Sequence, residues 1–166
     1  MAEDAIRASE QRYRHLFENM LNGFAYCRMI YDDDEPVDYV MLEVNPPFER
    51  QTGLRDAAGR RVTEVVPGIR EANPDLFATY GRVARTGVPE RFETFVAPLG
   101  EWFLITVYSP VRDHFATIFD VVTERKLAEA ALMESEARFS TVFRASPVGI
   151  ALSRLADGQF LDANET

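Results

Sequence analysis

The sequence predicts an α+β domain: a five-stranded antiparallel sheet with short helices on one face and flanking helices at both ends. Two observations support this prediction. Two strand-like segments come before a group of short helical segments and three more come after it, so strands and helices are segregated along the chain. One of the last three strands is apolar on both faces, which requires that both faces of the sheet be covered.

The chain begins with a predicted helix and a hairpin. Residues 2–20 place apolar side chains at steps of three and four, which is the spacing of one helical face. Residues 24–31 and 37–44 are rich in aromatic and large apolar residues, and the polar turn 32–36 separates them. These two segments therefore form two antiparallel strands.

Short helices follow the hairpin. Asn45 stands before Pro46, and an asparagine cap followed by a proline is a typical helix start. Asn73 and Pro74 repeat this start, so Asn73 is also predicted to cap a helix. The second helix carries several large apolar residues on one side and ends at Gly87.

Three strands complete the predicted sheet, at residues 90–97, 101–109 and 114–122. The middle strand alternates two apolar sets. One set is Trp102, Leu104, Thr106 and Tyr108, and the other is Phe103, Ile105 and Val107.

The sequence contains an internal repeat at an offset of 126 residues, which places Ser9-Glu10 opposite Ser135-Glu136. Asn45 and Asn164 also correspond if the first copy has a longer hairpin. The repeat indicates a slice of a tandem array. The expected divisions are an N-terminal amphipathic helix at 1–20, one complete domain at 21–122, a linker helix at 123–143 and the truncated start of a second domain at 144–166.

Several segments resemble the PAS domains of bacterial sensory proteins: residues 16–26, residues 42–54, and the exit at 115–119 followed by Thr123-Glu124-Arg125-Lys126. The resemblance implies a PAS fold and a sensory or interaction module, not an enzyme. It also implies an effector domain in the same polypeptide, such as a histidine kinase or a cyclic-dinucleotide enzyme. The chain departs from the family at the exit, because the acid expected two residues before Thr123 is Val121, and Asp120 lies one residue earlier. Asp120 and Thr123 are the predicted signal junction, and Thr123 is expected to cap the linker helix.

Composition excludes several classes of protein. A formal net charge of −9 and a pI of about 4.8 disfavour contact with nucleic acid or an anionic membrane. The 46% of hydrophobic residues is too high for a disordered chain. The single cysteine, Cys27, excludes an internal disulfide and fits a reducing cytoplasm.

No cofactor or metal site can be assigned from the residues. His15 and His114 are far apart and neither has a cysteine at metal-ligand spacing, so no metal site is predicted. The predicted helix after Asn73 has no histidine, which disfavours haem. Cys27 lies in the first strand, outside the Asn-Cys-Arg setting of flavin photosensors, so flavin is disfavoured and a small buried thiol is expected.

By the resemblance, a ligand pocket is expected between the sheet and the middle helices. The residues predicted to line it are Phe24, Tyr26, Tyr80, Phe92, Thr94, Trp102, Leu104 and Thr106. Few charges lie among them, so the expected ligand is small and apolar or weakly polar. The alternative is that the same side chains simply fill the core.

The linker and the N-terminal helix both carry a heptad-like apolar seam, which predicts a homodimer through a switchable coiled coil. Its members include Ile6, Tyr13, Ala128, Leu132 and Phe139. The alternative for the seam is packing against the chain's own sheet. The second candidate function is a ligand-free dimerisation and spacing module.

Overall fold

A computed structural model describes residues 1–164 of the chain. The chain divides into two compact units, Met1–Thr123 and Glu124–Thr166. The first unit contains the sheet, and the second contains most of the last helix and a small hairpin.

The helices and strands follow the predicted order. Those of the first unit are α1 (Ala2–Asn19), β1 (Gly23–Asp32), β2 (Glu35–Val44), α2 (Pro46–Thr52), β3 (Arg60–Arg61), α3 (Val62–Val65), α4 (Ile69–Ala72), α5 (Pro74–Thr86), β4 (Glu90–Val96), β5 (Glu101–Tyr108) and β6 (His114–Val121). Then come α6 (Thr123–Ala145), β7 (Ala151–Ser153) and β8 (Phe160–Ala163).

The sheet of the first unit is antiparallel and has the strand order β3-β2-β1-β6-β5-β4. The predicted α+β fold is confirmed, and all five predicted strands are present. The strand count is corrected to six, because the two-residue β3 pairs with Val40 and Met41 at the edge of β2. Two exposed arginines carry no strand pattern, so this short pairing left no signal in the sequence.

The core lies between the inner face of the sheet and the helices α2 to α5. β5 turns Phe103, Ile105 and Val107 towards this core, as its alternating burial shows. The helices contribute buried side chains such as Phe48 of α2 and Phe77 of α5. The helices therefore cover only one of the two apolar faces of β5.

The outer face of the sheet is partly covered by the last turns of α1. The Tyr13 hydroxyl donates to Glu43 of β2 at 3.1 Å, and the Phe17 ring lies edge-on to Phe24 of β1 at 5.4 Å. Further along this face, Phe95 and Tyr108 remain exposed.

Asn45 caps α2 as predicted, and it also connects three segments. Its side-chain oxygen accepts from the backbone N–H of Phe48 at 3.1 Å and of Phe24 at 2.8 Å. Its side-chain amide donates to the backbone oxygen of Asn22 at 3.0 Å. The side chain is 1% exposed, so it ties the entry of β1 to the start of α2 inside the core.

Asn73 occupies the predicted N-cap position, and α5 begins at Pro74. Only the predicted side-chain cap is wrong. The Asn73 side chain makes no capping bond. Its amide donates to the backbone oxygen of Phe95 at 2.7 Å and its oxygen accepts from the N–H of Ala97 at 3.3 Å. The end of β4 presents a backbone oxygen and a backbone N–H close together. The Asn73 side chain bonds to these two groups and not to the first N–H groups of α5.

The second unit repeats the asparagine arrangement on a smaller scale. Asn164 accepts from the N–H of Ile150 at 2.7 Å and donates to the oxygen of Val148 at 3.1 Å. Its own N–H donates to the oxygen of Ile150 at 3.1 Å, as that of Asn45 does to Phe24. Ile150 and Val148 stand 126 residues after Phe24 and Asn22, so the sequence repeat is also a structural repeat.

Candidate functional site

A cavity of about 70 Å³ lies between the inner face of the sheet and the helices α2 to α5. Its walls are mostly apolar and include Met41, Val66, Ile69, Phe103 and Ile105. Nearly all the lining side chains are fully buried. The half-buried ones are Thr52, Leu54 and Leu99, so the cavity approaches the surface near the end of α2 and the β4–β5 turn.

Two tyrosines are the main polar groups of the cavity wall. Tyr39 of β2 and Tyr80 of α5 are 7% and 5% exposed, and their rings cross at 5.6 Å in an edge-to-face arrangement. Both rings also pack on Phe115, which is fully buried. Burial raises the pKa of both phenols, that of Tyr39 to well above its ordinary value. Both groups therefore stay neutral hydrogen-bond donors throughout the physiological pH range.

Cys27 lines the same cavity from β1 and is 1% exposed, as expected for a small buried thiol. Burial raises the pKa of its thiol far above the ordinary value. A thiol that stays protonated is a poor nucleophile. Cys27 is therefore a packing residue of the wall.

The structure places three of the predicted pocket residues on the cavity side of the sheet. Tyr80 lines the cavity, and Phe92 packs against the Tyr80 ring at 6.4 Å. Thr94 follows on the same side of β4, half-buried, but neither Phe92 nor Thr94 reaches the cavity wall.

The other five predicted pocket residues lie on the outer face. Trp102, Leu104 and Thr106 alternate with the buried set of β5, and the Trp102 ring packs on Phe95 at 5.7 Å. Phe24 contacts α1, and the Tyr26 ring stacks on His114 at 5.7 Å. Both faces of these strands are apolar, so the sequence pattern alone did not identify the face that the helices cover.

Tyr39 was not predicted as a pocket residue, and the reason is a bulge in the β1–β2 pair. Tyr26 pairs with Glu43, whereas the next residue, Cys27, pairs with Met41. The extra residue in β2 shifts the alternation of inward and outward side chains by one position. Counting in steps of two from the inward-facing Val44 therefore places Tyr39 on the wrong face of the sheet. The aromatic character of β2 at this position was the one available signal.

The sheet and the last helix meet at Thr123. Thr123 is the first residue of α6, not its cap, and its hydroxyl accepts from the backbone N–H of Trp102 at 2.8 Å. The same hydroxyl donates to the carboxylate of Glu101. The N–H of Val122 donates to the oxygen of Trp102 at 2.8 Å, so the end of β6 and the start of α6 hold both backbone groups of Trp102.

Asp120 bonds to side chains at the entry of β1 and in α2. Its carboxylate accepts from the side-chain amides of Asn22 and, at 3.5 Å, of Gln51. Val121, at the position of the usual family acid, packs against the core. In this chain the carboxylate that meets Thr123 therefore comes from Glu101 of the neighbouring strand.

The predicted seam residues are exposed in the single chain. Ile6 and Tyr13 on α1, and Ala128, Leu132 and Phe139 on α6, all leave much of their side chains accessible. Phe139 also stacks on the buried Phe143 at 5.5 Å. Dimerisation through these residues remains a prediction.

Within residues 1–164, no group of three or more histidine, cysteine or acidic side chains is arranged to hold a metal ion. In the same range, no helix combines the length and the apolar character needed to cross a bilayer.

A PAS domain family model matches residues 11–86 and again residues 137–166. These two matches cover more than half of the chain, so the chain belongs to the PAS domain family. The second match falls on the segment that repeats the Asn45 arrangement at Asn164. No curated protein matches the chain.

The chain is also similar to solved structures of low sequence identity. A domain of an HTR-like protein from Haloarcula marismortui is 18% identical, with a TM-score of 0.46 over 63% of this chain and 100% of that one. The LOV protein of Rhodobacter sphaeroides is 19% identical, with a TM-score of 0.41 over 82% and 84%. The PAS domain of BvgS from Bordetella pertussis is 16% identical, with a TM-score of 0.39 over 82% and 98%.

Proposed function

We propose that this PAS domain is a cytoplasmic sensory module that regulates an effector domain in the same polypeptide and performs no catalysis itself. The effector would be a histidine kinase or a cyclic-dinucleotide enzyme. The observation that carries the proposal is the position of β5. Its side chains Phe103 and Ile105 line the cavity, while the backbone of Trp102 is bound by Val122 and Thr123.

This arrangement supports a population shift as the mechanism. A molecule that fills the cavity favours one packing of β5 against the helices, and Thr123 passes the difference to the start of α6. A ligand shifts the equilibrium only by its difference in affinity for the two packings. The bond between Thr123 and Glu101 is the contact through which that difference would act.

A homodimer fits the same mechanism. The exposed apolar residues of α1 and α6 recur at heptad-like spacing, and a second copy of the chain would cover them. The weak seam positions, such as Ala128 and Ser135, suit a coiled coil that changes its rotation easily.

The second candidate is a ligand-free dimerisation and spacing module. The cavity volume favours it, since 70 Å³ is well below the roughly 300 Å³ of ordinary ligand pockets. Native mass spectrometry of the purified chain separates the two candidates when a retained small molecule is found.

The deciding experiment tests helix phase in a polypeptide that carries its effector domain. Deleting one residue between Arg125 and Glu134 rotates every later side chain by about 100° and moves Leu132 or Phe139 off the seam. Deleting residues 126–132 preserves the phase and shortens the helix. We expect the first deletion to lock or abolish regulation and the second to retain it in part.

Two other results would contradict transmission by helix phase. Equal loss of regulation in both deletions would indicate that helix length or a local contact matters, not phase. Unchanged regulation in both would make α6 a passive tether and favour the spacing module.

A further inference from the structure

We propose that β4 is a self-association surface: the β4 strands of two copies of this chain pair antiparallel about a two-fold axis at Phe92 and join their sheets. This interface is separate from the seam on α1 and α6, and it depends neither on the cavity nor on the sensory function. β4 is an edge strand of the sheet in the first unit, and it has seven residues, whereas β3 at the other edge has two. A long edge strand is a template for pairing with another chain.

The first step is the direction of the backbone groups of β4. The Phe95 oxygen accepts from the Asn73 side chain at 2.7 Å, and Phe95 lies opposite Trp102 of β5. The backbone groups of Trp102 bond to the end of β6 and the start of α6, so this residue pair exchanges no backbone bonds. The N–H and C=O of Phe95 therefore point to the outer edge of β4. Because this direction alternates along a strand, those of Arg91 and Glu93 point to the same edge.

The second step is the register of the two strands. The backbone groups at the edge come from every second residue, so a partner strand can shift only in steps of two residues. When Phe92 of one copy lies opposite Phe92 of the other, each Arg91 faces a Glu93. A shift by one step brings Arg91 opposite Arg91, and a shift in the other direction brings Glu93 opposite Glu93. Opposite charges that face each other across strands are stabilising and like charges are destabilising, so the register centred on Phe92 is favoured.

The third step concerns the end of the paired segment. In this register Phe95 faces Pro89 of the second copy, and a proline has no N–H to donate. The Phe95 oxygen does not need that donor, because the Asn73 side chain already donates to it. The Phe95 N–H meets the Pro89 oxygen of the second copy. The segment from Pro89 to Phe95 thus forms every backbone bond that its edge allows, and Asn73 marks where the pairing ends.

Phe92 provides an apolar centre for the interface. Facing residues that exchange no backbone bonds bring their side chains closest together, and the two copies of Phe92 form such a pair. The Phe92 side chain is half-buried on the helix side of the sheet and packs on the Tyr80 ring at 6.4 Å. Aromatic pairs across strands are stabilising. The interface therefore has an aromatic centre and a charged rim, as specific protein interfaces do.

Protection of the edge is the alternative role of these residues. Charges and prolines on an edge strand commonly prevent pairing with other chains. The exposed Arg91 and Glu93 carry opposite charges, so they repel a second copy only in the shifted registers. The edge is complementary to itself in one register, and a second copy of the chain is therefore the partner that fits it.

The test is a charge exchange followed by sedimentation equilibrium. Every chain in this test also carries Leu132→Glu, so that the helical seam contributes little to the association. Arg91→Glu leaves two acids on the edge and Glu93→Arg leaves two arginines, so each variant meets like charges when it pairs with itself. A mixture of the two variants restores both opposite-charge pairs. Arg60→Glu is the matched control, because Arg60 is exposed on β3, at the other edge of the same sheet.

We expect the chain with Leu132→Glu alone to associate with a dissociation constant of about 0.1 to 1 mM, since few residues form the interface. Arg91→Glu and Glu93→Arg should each weaken this association at least about tenfold. The mixture should return to within about threefold of the constant for Leu132→Glu alone, which also shows that both variants are folded. Arg60→Glu should leave the constant unchanged.

Amide hydrogen exchange identifies the strand independently. When the concentration of the Leu132→Glu chain is raised to about 1 mM, the amides of Arg91, Glu93 and Phe95 should exchange about two- to fivefold more slowly. The Thr94 amide points towards β5, so its exchange rate should not depend on concentration.

Several results would overturn the proposal. The absence of association up to about 1 mM, or unchanged exchange at the β4 amides, would show that this edge is protected from pairing. An equal loss of association in Arg60→Glu would show that net charge, and not β4, controls it. A mixture that associates no more tightly than its components would exclude the register centred on Phe92. None of these results bears on the sensory function, which the linker deletions test separately.

Discussion

Replacing Asn45 by alanine tests whether one buried side chain holds the entry of the domain together. The substitution removes the acceptor of the Phe24 and Phe48 N–H groups and the donor to the Asn22 oxygen. Because Asn45 is 1% exposed, water cannot easily replace these partners. The backbone bond from Asn45 N–H to the Phe24 oxygen remains.

The expected loss follows from the three bonds. Loss of an asparagine cap costs about 1 kcal/mol, and each of the two further hydrogen bonds about 0.5 to 1.5 kcal/mol. The Phe48 N–H also contacts the backbone oxygen of Asn45 at 3.1 Å, which softens the loss of the cap. We therefore expect Asn45→Ala to lower the free energy of unfolding by roughly 2 to 3 kcal/mol.

The assay is urea denaturation followed by tryptophan fluorescence. Trp102 is the single tryptophan and lies on β5, so its signal reports the first unit. Asn164→Ala is the matched control, because Asn164 makes two of the three corresponding side-chain bonds in the second unit. For Asn164→Ala, the urea midpoint of the transition reported by Trp102 should stay unchanged. A loss below about 0.5 kcal/mol for Asn45→Ala, or equal shifts for both variants, would refute the reasoning.

Three further predictions concern the cavity, the seam and the packing of α5. Burial raises the pKa of Tyr39 and Tyr80, so their stabilising effect is complete below the unfolded pKa of about 10. As the pH rises beyond that value, each buried phenol should lower the free energy of unfolding by roughly 1.4 kcal/mol per pH unit. Urea denaturation of Tyr39→Phe or Tyr80→Phe at several pH values should therefore show a shallower fall of this free energy than the wild type. Ile6→Glu and Leu132→Glu should weaken self-association measured by sedimentation, since a buried unpaired charge is costly; a monomeric wild type at high concentration would contradict this. Gly81→Ala should lower the thermal midpoint, because a Cβ there would lie 2.7 Å from a proline ring of β2; an unchanged midpoint would show that the proline yields freely.

The sequence predicted the strands of the first unit well, because their limits are marked by turn residues. Residues 24–31 were expected and Gly23–Asp32 is observed, and residues 101–109 correspond to Glu101–Tyr108. Segregation of strands and helices along the chain was sufficient to predict the α+β class. Sequence pattern did not resolve β3, whose pairing depends on a neighbour distant in sequence.

The cavity wall could be predicted only in part. Both sides of β5 are apolar, and a period of two separates the sides without saying which one meets the helices. Tertiary packing determines which side of β5 faces the helices, and there Phe103 and Ile105 pack against side chains from α2 to α5. Tyr80 was predicted from the family resemblance, and it lines the cavity from α5.

The errors at Asn73 and Thr123 share a physical cause. Each was predicted to cap the helix that follows, which is the local choice for such a side chain. In the structure each bonds to the backbone of a strand: Asn73 to Phe95 and Ala97, and Thr123 to Trp102. A short polar side chain at a helix start can bond either to the backbone of its own helix or to the backbone of a neighbouring strand. Only the tertiary fold brings the strand within reach.

These two strand contacts also connect the cavity to the last helix. Asn73 stands at the start of α5, the helix that supplies Tyr80 to the cavity, and Thr123 is where α6 leaves the sheet. Asn73 bonds to β4 and Thr123 to β5, and β4 and β5 pair along their whole length. A change in the position of α5 on filling of the cavity would therefore act on adjoining strands before it reaches Thr123. On this argument Thr123→Val, which keeps the side-chain shape and removes the hydroxyl, should uncouple α6 from the sheet. The measurement is the activity of the effector domain with and without its stimulus, and an unchanged response would contradict the argument.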